Sequence, residues 1–189
     1  MTLIRTVAPA VEPVTLVDAK SHLRMSHTSE DALMSGLIRA AREDVERTTG
    51  MALIDQTWRL VLDRWPADNF VMLTRHPVRQ VISVTTFGSE GEASVVNPGD
   101  YQLDTLSRPA RIHFERAPQR LRTMNGVEID FRTGFGEAGT DVPDLLKRAI
   151  LLLVAHWYEF RSSFGPDEQP VSYPGGYDRL LSGYRARRL

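Results

Sequence analysis

With 189 residues and 42% hydrophobic content, the chain has enough apolar material to build a core without cross-links, as one domain or two small ones. The absence of cysteine excludes disulfides, thiolate metal sites and a cysteine nucleophile, and it suits a reducing compartment. Twenty-three basic against 24 acidic residues leave a net charge of −1, which excludes a protein that wraps nucleic acid with its whole surface, so any polyanion contact has to be local.

The first residues, MTLIRTVAPAVEP, lack a long apolar core followed by a cleavage site, so no signal peptide is expected. Thr15 followed by Asp18 reads as a capping box, with Leu16, Ala19 and Leu23 on one face of a short helix. A longer helix is predicted after Ser26-His27-Thr28-Ser29, running to Thr49 with Gly50 as its stop. Leu33, Leu37, Ala41 and Val45, with Ile38 beside them, form its expected apolar stripe. Opposite lie Arg39, Arg42, Glu43, Glu46 and Arg47, a charge run that reads first as a solvated face and second as a subunit contact.

From Ile54 to Thr133 the period falls from about four to two, and six short strands are predicted. They centre on Trp58–Leu62, Phe70–Leu73, Val81–Phe87, Tyr101–Leu103, Ile112–Phe114 and Val127–Phe131. Turn signals separate them: His76-Pro77, Gly88 to Gly91, Asn97-Pro98-Gly99-Asp100, and Asn125-Gly126, the last a hairpin signal. Connections this short favour antiparallel pairing.

A third long helix is predicted over Pro143 to Arg161, with Asp141 as its cap and Pro143 in the first turn, where a missing N–H costs nothing. Ile150, Leu151, Leu152, Leu153, Val154, Trp157 and Tyr158 go most of the way round the cylinder. Burying each such side chain contributes about 1.5–3 kcal/mol, so two readings stand: a central core helix, or one whose second side a neighbouring subunit covers. The longest apolar run, Ala149 to Tyr158, has ten residues against the roughly 18 that a bilayer span needs, so a soluble protein is expected. A Pro/Gly-rich loop, Gly165 to Gly176, leads to a short last helix with Tyr177, Leu180, Leu181 and Tyr184.

Motifs that carry chemistry are few. Gly134 to Gly139 matches G-x-G-x-x-G after a strand, but the helix starts later, at Thr140 to Pro143, and no second parallel strand follows to supply a ribose-binding acid. A tight strand-to-helix turn is the better reading. The five histidines, His22, His27, His76, His113 and His156, have no metal-site spacing, and no G-x-S-x-G elbow is present, so no catalytic residue, metal or cofactor is assigned. The end of the chain differs: Arg179, Arg185, Arg187 and Arg188 stand against Asp178 alone, interleaved with Tyr177, Tyr184 and Leu189. Such a tail can dock on an acidic protein groove, touch DNA phosphates, or lie frayed in solvent.

PVTLVDAKSHLRM, EDALMSGLIRAAREDVERTTGMALIDQTWRLVLDRWP, FRTGFGEAGTDVPDLLKRAILLLVAHWYEFR and the closing YDRLLSGYRARRL together resemble the head-tail connector (adaptor) proteins of long-tailed bacteriophages and of phage-derived gene transfer agents. The TGMALIDQTW and LLLVAHWYE blocks are specific in combination; Ser162 to Tyr173 and Glu90 to Arg122 are less recognisable. The resemblance implies a structural protein of the virion neck, assembled in the bacterial host cytoplasm. It implies a homo-oligomeric ring, usually of twelve copies, under the portal protein and above a stopper or tail-completion protein, with only transient, unselective contact to the DNA in its channel and none to a membrane. It makes Tyr184, Arg185, Arg187, Arg188 and Leu189 portal-docking candidates, and Leu153, Trp157 and Tyr158 helix-core or subunit-contact candidates. The competing readings are a DNA-binding protein using the basic tail and a nucleotide-binding protein using Gly134 to Gly139.

The fold class expected is α+β: N-terminal and C-terminal helices packed together with an inserted antiparallel β portion. One connector domain over 1–189 is expected, with helical parts 15–50 and 141–163, a β insert 54–133 and a docking tail 176–189.

Overall fold

The structure, a computed structural model, describes residues 1–117, 121–160 and 173–185. The chain folds as two compact units, one from Met1–Ala10 with Asp55–Phe135, the other from Val11–Ile54 with the chain from Gly136 onward. The class is α+β, as expected.

In the first unit, β1 (Thr2–Val7), β2 (Gln56–Leu62), β8 (Val127–Thr133), β4 (Val78–Phe87) and β5 (Ala93–Val95) lie side by side in that order, all antiparallel. A smaller sheet has β7 (Ala110–Phe114) between β3 (Phe70–Leu73) and β6 (Tyr101–Asp104). Period-two alternation decides which side chains go in: Leu60 faces Ile129, Val84 faces Ile129 from the other side, and Ile112 stands between Val71 and Leu103. Leu60, Val71, Leu73, Val84, Ile112, Phe114, Ile129 and Phe131 form one core from both sheets. On the outer face of β8, Arg59 clasps Asp130 through two nitrogens at 2.8 Å and reaches Glu128 at 2.9 Å.

Two strands were not legible. β1 is an edge strand, exposed at every position except the half-buried Leu3, and β5 is three exposed residues paired to β4 alone, so neither carries a burial alternation. The Asn125-Gly126 hairpin is corrected as well. Asn125 does turn the chain at φ 52°, but the strands on either side, β7 and β8, belong to different sheets. The Gly88 to Gly91 signal is the real β4–β5 hairpin, with Gly91 at φ 90°.

The other unit holds α1 (Leu16–Leu23), α2 (Asp31–Thr49), α3 (Asp144–Phe160) and α4 (Tyr177–Leu181). The capping box forms: Asp18 N donates to Thr15 Oγ1 at 3.1 Å, and Thr15 N donates to Asp18 Oδ2 at 3.2 Å. The Thr15 hydroxyl, which donates to Asp18 Oδ2 at 2.6 Å, and then the Thr15 amide hold the Asp18 carboxyl below its usual range. Asp141 caps a 3-10 turn, Gly139–Asp141, where it accepts from Ala138 N at 3.0 Å; α3 begins after Pro143, whose carbonyl takes the first helical bonds. Residues 161–163 of the expected helix lie outside the described residues.

The α2 stripe is rotated from the expected one. Its buried apolar residues are Met34, Ile38, Ala41 and Val45, while Leu33 is 42% exposed, because a strict four-residue repeat drifts by about 40° per step on a 3.6-residue helix. The solvated-face reading of the charge run is overturned for Arg42 and Glu46. Arg42, with its side chain 3% exposed, donates from Nη1 to Glu46 Oε2 and from Nε to Glu12 Oε2, both at 2.8 Å. Glu46 Oε1 takes the Leu53 amide at 2.8 Å. Burial works against the Arg42 charge, but attraction to Glu46 and Glu12 outweighs it and the guanidinium pKa is raised.

Two outcomes are expected. Arg42→Ala strands Glu46 without its buried counter-charge and lowers unfolding stability by about 3–5 kcal/mol in a urea titration, whereas exposed Arg39→Ala changes it by no more than about 0.5 kcal/mol. In the β unit, Ser107, Arg111 and Leu106 hydrogen bonds hold the Asp104 carboxyl at about 2. Because this pKa is depressed on folding, its stabilisation is complete above the unfolded value of about 3.9 and is lost as pH falls through about 2. An NMR titration of this carboxyl should have its midpoint near there, and Asp104→Asn should flatten the loss of stability across that window.

Candidate functional site

The surfaces on which this chain can meet another polypeptide start with α3. Its core stripe, Leu146, Ala149, Ile150, Leu153 and Val154, follows the spacing of a one-sided amphipathic helix and is buried inside its own unit. The apolar residues beyond that stripe are only partly covered. Leu151, Leu152 and Trp157 are half-buried, Leu145 is 52% exposed and Phe160 45%. Helix α3 is therefore a core helix on one side and an apolar shoulder on the others.

Two hollows flank that shoulder. One of about 530 Å³ is lined by Leu145, Leu152 and Leu180 together with Arg148, Arg179, Gly175 and Gly176. Another of about 560 Å³ lies between α1 and α3, where Asp18, His22, Asp144, Lys147 and Arg148 give it a mixed charge. The hydrogen bond and attraction from Lys147 hold the Asp144 carboxyl below its usual range.

The named candidates fall in different settings. Leu153 is fully buried, and Trp157 is half-buried at the helix's far end. Tyr158 is tied inward, its hydroxyl donating to Glu30 Oε2 at 2.5 Å. Tyr184 is half-buried just beyond α4, and Arg185 pairs with Asp178. Arg187, Arg188 and Leu189 lie outside the described residues.

The base of the tail is anchored by a contact that sequence reading missed. Tyr177, 1% exposed, donates to Asp44 Oδ2 at 2.8 Å, Tyr173 donates to Asp44 Oδ1 at 3.1 Å, and the two rings stack at 5.2 Å. Burial first, then the Asp44 carboxylate, pushes the Tyr177 hydroxyl pKa far up, so it stays a neutral donor. The partners are 133 residues apart, a separation no local pattern can reveal.

The glycine motif is filled by the chain itself. A Cβ on Gly136 would stand 2.1 Å from Asp141 Oδ2, and one on Gly139 would stand 2.7 Å from the Pro13 carbonyl oxygen. Gly134 sits at φ 141°. These glycines serve backbone approach and a turn, and the carboxylate of Asp141 already takes the amide of Ala138, which is the wrong sign for a phosphate cradle. His76 is buried, which lowers its pKa, and the ring of His156 packs against Phe160 at 4.6 Å. Among the described residues no cluster of three or more histidine or acidic side chains is placed to hold a metal ion, and no helix is long and apolar enough to cross a membrane.

Comparison with known proteins bears on these surfaces. Three solved chains are similar over 100% of this chain and 97% of their own length, each at 28% identity. They come from the neck of an empty gene transfer agent (GTA) particle computed with C6 symmetry (TM-score 0.83), the virion of a native GTA particle (0.83), and the neck of a native GTA particle computed with C12 symmetry (0.79). No curated protein matches the chain. A family model described as "HCP: Head completion protein" matches residues 13–167, which span α1, α2, all strands after β1, and α3. The chain belongs to the head completion protein family, a family of structural virion components and not of enzymes.

Proposed function

We propose that this chain is a head-tail adaptor of a virion neck, copies of which form a ring of twelve around the DNA exit channel, between the capsid portal and the next stopper or tail component. The observation that carries the reading is the end-to-end likeness, at 28% identity, to chains from GTA necks, one of them solved with C12 symmetry. A ring closes only through heterologous contacts, in which two different surfaces of one chain meet head to tail. The shoulder of α3, with Leu145, Leu152 and Trp157 partly in water, suits one side of such a contact; Leu153 and Tyr158 hold the helix that presents it. The tail, Tyr184 to Leu189, is the portal-docking segment, launched from an α4 that Tyr177 fixes on Asp44. A net charge of −1 suits a channel wall past which DNA must slide, since each neutralised phosphate strengthens binding.

Three measurements test this. Electron microscopy of the native neck should find this chain under the portal in twelve copies; its absence there ends the reading. Deleting Tyr184 to Leu189 should abolish co-purification with portal protein while the helical unit stays folded, and retention would remove the tail from the docking role. Leu145→Asp should leave stability within about 0.5 kcal/mol yet prevent ring formation, read by native mass spectrometry. Sequence-selective DNA binding with a steep salt slope would favour a DNA-binding protein instead.

A further inference from the structure

The side of α3 that faces away from its core carries a repeat of its own. Leu145, Arg148, Leu152, Ala155 and Glu159 follow one another at alternating steps of three and four, the a and d spacing of a coiled-coil seam. On a 3.6-residue helix they fall within about 80° of one another, on the side away from the buried stripe. None of the five is buried: Leu145, Arg148 and Glu159 are exposed, and Leu152 and Ala155 are half-buried. A seam with this period fits a second helix.

The charges at the two ends of the seam are opposite. Neither Arg148 nor Glu159 has an ion pair among the described residues. Around Arg148, the hollow beside α4 adds a second cation, Arg179, and no acid. In the hollow beside α1, Lys147 already holds Asp144 at 2.8 Å, Asp18 is taken up by its cap with Thr15, and His22 brings no negative charge. Beside Glu159, the His156 ring packs on Phe160, while Arg161 is off the a and d count and outside the described residues. Glu159 also stands in the last turn of α3, where the helix's own carbonyl end disfavours a carboxylate. Helix stability therefore does not account for an acid there.

Charge decides how a second copy can lie on this seam. Parallel and in register, Arg148 would meet Arg148 and Glu159 would meet Glu159. Antiparallel, a positions face d positions: Arg148 of each copy meets Glu159 of the other, and Leu152 of each meets Ala155 of the other, a large side chain on a small one. One offset satisfies all four layers. Both hollows lie beside the first half of α3, and Arg148 lines both, so the partner's last turn comes down between them, with Arg179 as a second cation near its Glu159.

We propose that two free copies of this chain pair through α3 in this antiparallel arrangement. The contact is isologous, so it closes on itself and cannot grow into a ring. It stands apart from the ring reading but occupies the same shoulder, and a chain held in the pair is kept from lateral assembly until its partner leaves. About three turns of helix bury less area than a standard interface, so the pairing is weak, with a Kd of roughly 10–100 μM.

Sedimentation equilibrium of the full-length chain, purified without other neck proteins, tests this. A monomer–dimer equilibrium is expected between about 10 μM and 1 mM. Arg148→Glu or Glu159→Arg alone should raise the Kd about tenfold or more, since each puts two like-charge contacts in place of two opposite ones. Both exchanges in one chain should restore pairing, and so should an equimolar mixture of the two single variants, whose seams complement one another. Both residues are exposed, and circular dichroism checks that each variant keeps its helices. A chain still monomeric at the top of that range, a dimer indifferent to either exchange, or single losses that the double exchange does not restore each overturn the proposal. The adaptor reading fails separately: absence of the chain from native necks leaves the pair standing, whereas a monomeric chain that still enters necks strikes the pair alone.

Discussion

A guanidinium stripped of water sets the geometry of the helical unit. Apolar packing is non-directional and would let α2 slide or rotate at modest cost, but the Arg42 fork accepts only one arrangement of Glu12 and Glu46. Glu46 in turn holds the Leu53 amide. The segment entering the unit, its longest helix and the segment leaving it are thereby fixed together at three points. Once α2 is fixed, Met34, Ile38, Ala41 and Val45 face the core, Asp44 meets the Tyr177 hydroxyl, and Glu30 meets Tyr158. Desolvating these charges is costly, so the cluster is better understood as specifying position than as adding stability.

Legibility in the sequence followed the range of the interaction. The Thr15–Asp18 box, the Gly50 stop at φ 75°, and the strands with clear alternation, such as Val127, Ile129 and Phe131, are set by neighbours a few residues away and were read correctly. What failed was decided at a distance. Edge strands show no burial, so β1 and β5 left no trace, and Asn125 turns the chain without pairing the strands beside it. Arg42 and Glu46 looked like an i,i+4 surface pair, since each lies about 100° round the helix from Ala41 or Val45, and only Glu12 and the Leu53 amide, from other segments, make that flank an inward one. Of the site, the excess apolar surface of α3 was visible in composition; the Asp44 anchor was not, because it depends on side chains converging from separate segments.

Seen together, the chain's polar chemistry is spent on placement. Among the described residues, the Arg42 cluster positions a helix, Asp44 the base of the tail and Asp104 the turn between β6 and β7. On the outer face of the β unit, Arg59 satisfies both Glu128 and Asp130, so that surface carries charge without leaving its cation free. A building block needs this combination of rigid faces, local complementarity and little net field, since a strong field would act on every neighbour and on DNA alike.

The joint at Gly136 and Gly139 has a bearing on how such chains can diverge. Any side chain at either position would collide with the Asp141 carboxylate or with the backbone at Pro13, so neither site can drift by the small steps open to a surface residue. Lineages descended from a common ancestor should then keep both glycines long after their outer residues have lost resemblance, making this pair a better marker of shared ancestry than overall identity.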